Sequence, residues 1–211
     1  MSGPWLEDGP ADAPLTVLFA HGAGAPMDSP FMAFVAVAMA AQGLRVVRFE
    51  FSYMAGRRET GKKRPPDRQP VLLESWRTAV AAQEGRRVAL AGKSMGGRMA
   101  SLVADEVGAA GLACFGYPFH PPGKPEKLRT EHLAGLRTPT IMLQGERDPF
   151  GTSEEVPGYT LSKAIRLHWC PDGNHDLAPR KASGRTKEQN WQEAADAAAA
   201  FLLGCGEGSR T

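Results

Sequence analysis

The sequence predicts an α/β fold, one domain built on a mostly parallel sheet of about six strands with helices on both faces. Three observations carry that expectation. Short β-prone runs alternate with longer helix-forming stretches, the pattern of repeated strand–helix–strand units. The chain of 211 residues is long enough for one substantial core and short for two, so residues 1–211 are expected to be a single domain. Apolar residues make up 42% and charged residues 23%, the balance of a globular protein with a wet surface. The formal charge of +2 supplies no global attraction to nucleic acid or membrane, and neither partner is expected.

The elements follow in order. Residues 1–14 are rich in Pro, Gly and acid and lack the basic-then-apolar order of a secretion signal. Residues 15–20 form the first strand, ending in the turn His21-Gly22-Ala23-Gly24. Residues 30–42 are Ala-rich and helical, and Gly43 stops them. Residues 45–51 form a strand carrying Val46, Val47, Phe49 and Phe51. Residues 54–68 hold Arg57, Arg58, Lys62, Lys63, Arg64 and Arg68 against Glu59 and Asp67, and read as a solvated surface loop on the rim of the site. A helix over 70–83 is closed by Gly85, and a strand over 88–91 precedes a helix over 95–106. Strands over 112–115 and 140–143 are joined by a Pro-rich loop and a short helix near 126–136. A strand over 163–170, with period-2 character at Ile165, Leu167 and Trp169, precedes the final helix over 188–203.

The longest apolar stretches, 31–41 and 194–203, are too short to span a bilayer and read as packed helices. Cys114, Cys170 and Cys205 are odd in number and widely spaced, so thiols rather than a disulfide framework are expected. A cytoplasmic location follows as the expectation.

In a parallel sheet the chemistry belongs just beyond the carboxyl ends of the strands. Gly92-Lys93-Ser94-Met95-Gly96 stands there, between a strand and a helix, and matches the G-x-S-x-G elbow. The sharp turn exposes the serine hydroxyl, and flanking glycines remove Cβ atoms that would collide. Ser94 is thus the candidate nucleophile. Asp148 follows the next-to-last strand, and His175 follows the last, giving the chain order serine, acid, histidine. His175 would act as general base, and Asp148 would fix its tautomer. Glu146, Asp172 and Asp176 are alternative acids, and Asp148 could instead cap the turn before Pro149. His132 and His168 fall inside elements and read as structural.

An oxyanion needs N–H donors. The Met95 amide and an amide from the turn after the first strand are the candidates, Ala23 ahead of Gly22. The side chain of His21 is read as bracing that turn. The turn lacks both G-x-G-x-x-G and G-x-x-x-x-G-K-[ST], so nucleotide binding is not expected. Gly22, Phe119 and His120 are candidate substrate-binding residues by loop position, with Met27 and Phe150 as further wall candidates.

These positions carry a resemblance. The chain resembles the α/β-hydrolase superfamily over nearly its whole length, and is similar to its small, lidless, dienelactone-hydrolase-like bacterial members. The motifs are His21 to Ala25, Pro26 to Met32, Gly92 to Gly97, Tyr117 to Pro125 and Gln144 to Gly151. That group is similar to animal testis-expressed hydrolase-like proteins and to a chromatin-complex subunit. The resemblance implies a Ser-His-Asp site with no cofactor and no metal, and some relatives serve as scaffolds without known chemistry. With only a short insert between the strands at 112–115 and 140–143, the site is expected to be open, without interfacial activation.

The expected activity is hydrolysis of a small carboxylic ester or thioester through an acyl-serine. The alternatives are a silent interaction module on the same fold, or an acyltransferase using the same triad. Steering of anionic substrates by Lys62, Lys63 and Arg64, with Lys93 contributing, is a sharper reading of the basic segment. The oligomeric state is not legible.

Overall fold

Alternate residues of each central strand serve two different cores, which is why these strands read as continuous apolar runs. In β2 (Thr16–Ala20), Val17 and Phe19 face one layer while Leu18 and Ala20 face the other. The same alternation splits β4 (Val88–Lys93), β5 (Leu112–Phe115) and β6 (Thr140–Gly145). One core is closed by α1 (Pro30–Ala40) and α5 (Lys187–Glu207), which pack on each other. The other is closed by α2 (Ser52–Thr60), α3 (Gln69–Ala81) and α4 (Met95–Val103). Phe19, Met32 and Phe115 are at most 1% exposed, and each contributes about 1.5–3 kcal/mol by leaving water.

The computed structural model describes residues 5–207. With β1 (Leu6–Asp8), β3 (Arg45–Phe49) and β7 (Ile165–Cys170), the sheet has seven strands in the order β1-β3-β2-β4-β5-β6-β7. All neighbours run parallel except β1 and β3. The loops after β2, β4, β5, β6 and β7 therefore collect at one edge, where a parallel sheet offers its binding crevice.

The structure departs from the sequence reading in three places. A seventh strand, β1, arises within the stretch 1–14; Arg45 binds Glu7 at 2.8 Å and Arg48 binds Asp8 at 2.9 Å, pinning an acidic segment to β3. The basic segment is not all loop. Its first part is α2, whose Gly61 adopts φ 69° and returns its N–H to the Arg57 carbonyl at 2.8 Å. The short helix expected near 126–136 is a 3-10 turn, Glu131–Gly135, so the β5–β6 connection carries no lid domain. Among the described residues, no helix is long and apolar enough to cross a membrane. Cys114 and Cys170 are buried free thiols, the latter pushed up to about 12 by burial.

Candidate active site

Ser94 sits between β4 and α4 with φ 51° and ψ −114°, a conformation that L side chains seldom adopt. Close packing of α4 against the sheet sustains it. A Cβ on Gly92 would stand 2.2 Å from the Gly97 nitrogen, and one on Gly96 2.6 Å from the carbonyl oxygens of Ala20 and His21. Only glycine fits at either position.

The structure brings Ser94, His175 and Asp148 together. Ser94 Oγ lies 2.8 Å from His175 Nε2, and His175 Nδ1 lies 2.9 Å from Asp148 Oδ2. A carboxylate can only accept, so Nδ1 carries the proton and Nε2 presents a lone pair to the hydroxyl. Asp148 is fully buried, and it is hydrogen-bonded on both oxygens: Gln144 Nε2 donates to Oδ2 and the Phe150 amide to Oδ1, each at 2.9 Å. Gln144 is itself fixed, its Oε1 accepting from the Tyr117 amide at 2.7 Å. The Phe150 ring lies against the imidazole, tilted by 31°, at 4.2 Å between centres.

The alternative acids make other contacts. Glu146 accepts from the Asp172 amide at 2.7 Å. Hydrogen bonds from Arg180 hold the Asp172 carboxyl down to about 2. Asp176 lies 3.4 Å from Lys93 Nζ.

The turn after β2 faces Ser94. The carbonyls of this turn are held from behind: His21 Nδ1 donates to Gly22 O at 2.6 Å, and Tyr53 Oη lies 3.3 Å from Gly22 O and 3.0 Å from Ala23 O. His21 Nε2 accepts from the Phe51 amide at 3.2 Å, which leaves the proton on Nδ1. Burial holds the His21 imidazole below the usual histidine range, consistent with this neutral tautomer. In a trans peptide the N–H points opposite to the C=O. With Gly22 O drawn back toward Tyr53 and His21, the Ala23 N–H is turned the other way. Among the described residues, no protein group accepts the Ala23 or Met95 amide proton.

A cavity of about 330 Å³ opens over these groups, walled by Ala25, Phe31, Met32 and Phe150, with Gly22, Ala23 and Lys93 beside Ser94. Phe31 and Met32 enter from the first turn of α1; they end the motif Pro26 to Met32 but are not among the expected wall residues. Phe119 and His120 do not line it. Phe119 is fully buried against Tyr117 and Tyr159, with ring centres 4.8 and 5.7 Å away. His120 Nδ1 bonds Pro121 O at 2.9 Å, and Nε2 lies 3.5 Å from Glu155. The reason is backbone pairing: Arg129 N donates to Phe119 O and His120 N to Phe150 O, turning both side chains inward. Met27 is likewise buried, its carbonyl accepting from Arg48 at 3.0 Å. His132 bonds Ser101 Oγ at 2.8 Å and is pushed down to about 4 by burial and by Arg98.

This arrangement, an elbow serine at the carboxyl edge of a parallel sheet with a histidine and a buried acid beyond later strands, defines a hydrolase-type α/β domain. A family model described as an alpha/beta hydrolase domain matches residues 13–203, and the chain belongs to that family. Solved structures agree on the fold. A lidless a/b serine hydrolase from Xanthomonas campestris is 18% identical, with 95% of this chain and 86% of that one covered and a TM-score of 0.65. A dienelactone hydrolase from Anabaena variabilis is 19% identical, with 95% and 90% covered and a TM-score of 0.68. Est1E of Butyrivibrio proteoclasticus, with ferulic acid bound, is 14% identical, with 95% and 94% covered and a TM-score of 0.70.

Proposed function

We propose that the protein is a serine hydrolase that cleaves a carboxylic ester or thioester of a small substrate through an acyl-Ser94 intermediate. The observation that carries this reading is the continuous relay from Ser94 Oγ to His175 Nε2 at 2.8 Å and from Nδ1 to buried Asp148 at 2.9 Å, opening on a walled cavity.

The steps follow from the geometry. Ser94 Oγ attacks the carbonyl carbon as its proton passes to His175 Nε2, and Asp148 stabilises the imidazolium. The developing oxyanion is taken by the Ala23 and Met95 amides, the latter at the N-terminus of α4. Collapse transfers the proton from Nε2 to the leaving alcohol or thiol. Water, deprotonated by the same nitrogen, then releases the acid and restores Ser94. No metal or cofactor enters this scheme.

The walls favour a small, neutral acyl group. Ala25, Phe31, Met32 and Phe150 are apolar, and of the two charged groups that also line the cavity, Lys93 faces the His175 carbonyl and is paired with the other, Asp176. Two cations of the basic segment are also occupied. Arg57 reaches Gly24 O at 3.4 Å, and Arg58 is paired with Asp28 and Glu50. Steering of anions is therefore left to exposed cations of the segment, Lys62, Lys63 and Arg64 with Arg68 after them.

A fluorophosphonate probe with adduct mapping tests the reading. Labelling is expected at Ser94, absent in Ser94→Ala and at least about a thousandfold slower in His175→Ala. An unlabelled but folded wild type would transfer the reading to a hydrolase-shaped interaction module. Equal turnover of short-chain esters with and without micelles is the expected behaviour of an open site.

A further inference from the structure

Lys93, between the glycine and the serine of the elbow, is not used by that mechanism, yet it touches the site from below. It ends β4, in register with Phe115 of β5. Its side chain is 9% exposed. Nζ donates to the His175 carbonyl at 2.7 Å, lies 3.4 Å from Asp176 Oδ1 and stands 5.7 Å from the centre of the Phe31 ring. A carbonyl, a carboxylate and a ring face thus surround an ammonium with three N–H groups.

Gly116 makes this approach possible. Its φ is +64°, and a Cβ there would stand 2.8 Å from the His175 carbonyl oxygen, 3.2 Å from Lys93 Nζ and 3.4 Å from His175 Nδ1. Lysine nitrogen and imidazole therefore flank the same bare Cα, and any side chain at 116 would force them apart. A buried ammonium is costly unless paired, and a methionine would fill this volume without that cost. The function of Lys93 lies in what its charge and hydrogen bond hold.

Resting on the proposed role of His175, we propose that Lys93 is a positioning residue: it clamps the backbone of His175 over Gly116 and sets a buried cation beside the imidazole–carboxylate pair. Asp148, from the loop after β6, meets the imidazole, while Lys93 of β4 meets Asp176 from the loop after β7 and the uncharged Phe31 ring of α1. Burial lowers the Lys93 ammonium below the usual lysine range, and Asp176 and Asp148 oppose that shift.

The clamp makes two separable contributions. The hydrogen bond holds the imidazole within reach of Ser94, where a displacement of about 1 Å costs on the order of a hundredfold in rate. The charge offsets that of Asp176, the carboxylate next to His175 in the chain.

The test compares wild type with Lys93→Met, Lys93→Gln and Lys93→Arg, each checked for a cooperative melt. The rate of fluorophosphonate labelling of Ser94 is measured, and the low-field imidazole N–H resonance of His175 is followed by proton NMR. Lys93→Met is expected to label about tenfold or more slowly. Lys93→Gln keeps a donor without charge, so it recovers part of the rate. Lys93→Arg keeps donor and charge and recovers more of it. The resonance should broaden in Lys93→Met and survive in Lys93→Arg. Wild-type rate and resonance in Lys93→Met, or in Lys93→Gln if the methionine variant does not fold, would overturn the clamp. A wild type that never labels, but whose resonance still depends on Lys93, would sink only the hydrolase reading.

Discussion

The elbow around Ser94 and the limb formed by Asp148 and His175 meet at a 2.8 Å contact, yet they are built in opposite ways. The elbow is shaped by missing side chains: at Gly92 and Gly96 the neighbours a Cβ would strike are backbone atoms, which cannot yield. The limb is shaped by polar contacts, with Asp148 accepting from His175, Gln144 and the Phe150 amide. A steric mould fails as a whole when filled, whereas a hydrogen-bonded limb can lose its chemistry while its fold stands.

The contrast is broken from the side of the mould at Gly96. Gly96→Ala puts a methyl group 2.6 Å from two backbone oxygens, so the helix must lift from β2. A loss of about 3 kcal/mol in urea denaturation is expected, together with labelling at Ser94 reduced beyond detection. Wild-type stability and labelling in that variant would mean that the elbow is not a rigid mould. Asp148→Asn should separate the two properties. Its amide nitrogen must face either the Phe150 N–H or the imidazole, and in the second case it forces the proton to Nε2. Turnover is expected to fall about 10³- to 10⁴-fold with a melting curve close to wild type.

The same distinction explains how much could be read from the sequence. The elbow was legible because a steric mould is written as local glycines next to a strand and before a helix. Asp148 and His175 were candidates because chain order and strand ends restrict where an acid and a base can stand, and the structure brings both to Ser94. What was not legible depends on contacts distant in sequence. β1 is a three-residue acidic strand held by Arg45 and Arg48, some forty positions away. The first turn of α2 buries only Tyr53 and Met54, too little apolar pattern to distinguish a helix from a charged loop. Phe119 and His120 read as wall residues because aromatic groups in a strand-end loop suggest a pocket, but pairing of that loop with Arg129 and Phe150 turns them into the core. Gln144 carried a usable signal, as an amide at the end of an apolar strand and four residues before the acid it bonds.

The turn at 22–24 lies between the two modes, since it has small residues but is aimed by side chains from α2. Tyr53→Phe removes one hydroxyl that lies 3.0 Å from Ala23 O and 3.3 Å from Gly22 O, and leaves His21 in place. If the Ala23 amide has the role proposed for it, worth about 10²–10³ in rate for a full oxyanion donor, loosening it should cost about tenfold. The decrease belongs in kcat with KM little altered, and affinity for a boronic acid analogue should fall in step. A change in KM alone would show that Tyr53 shapes the ground-state pocket instead.

The smallest effect is expected where polar bonds hold the limb from outside. Asp172 has φ 52° and takes the Arg180 amide at 2.7 Å, while Arg147 Nε reaches its carboxylate at 2.8 Å. Asn is also enriched in left-handed backbone, so Asp172→Asn removes charge without adding strain. Because the folded carboxyl is held at about 2, below its ordinary value of 3.8, its contribution to stability is complete above the ordinary value and disappears as pH falls through about 2. The variant should therefore melt slightly below wild type at pH 7, with the gap closing between about pH 4 and pH 2 and labelling of Ser94 little changed. A gap that persists unchanged at pH 2 would assign the effect to packing of the turn instead of to its charge. A large loss of labelling at pH 7 would mean that this outer pair also governs where His175 stands.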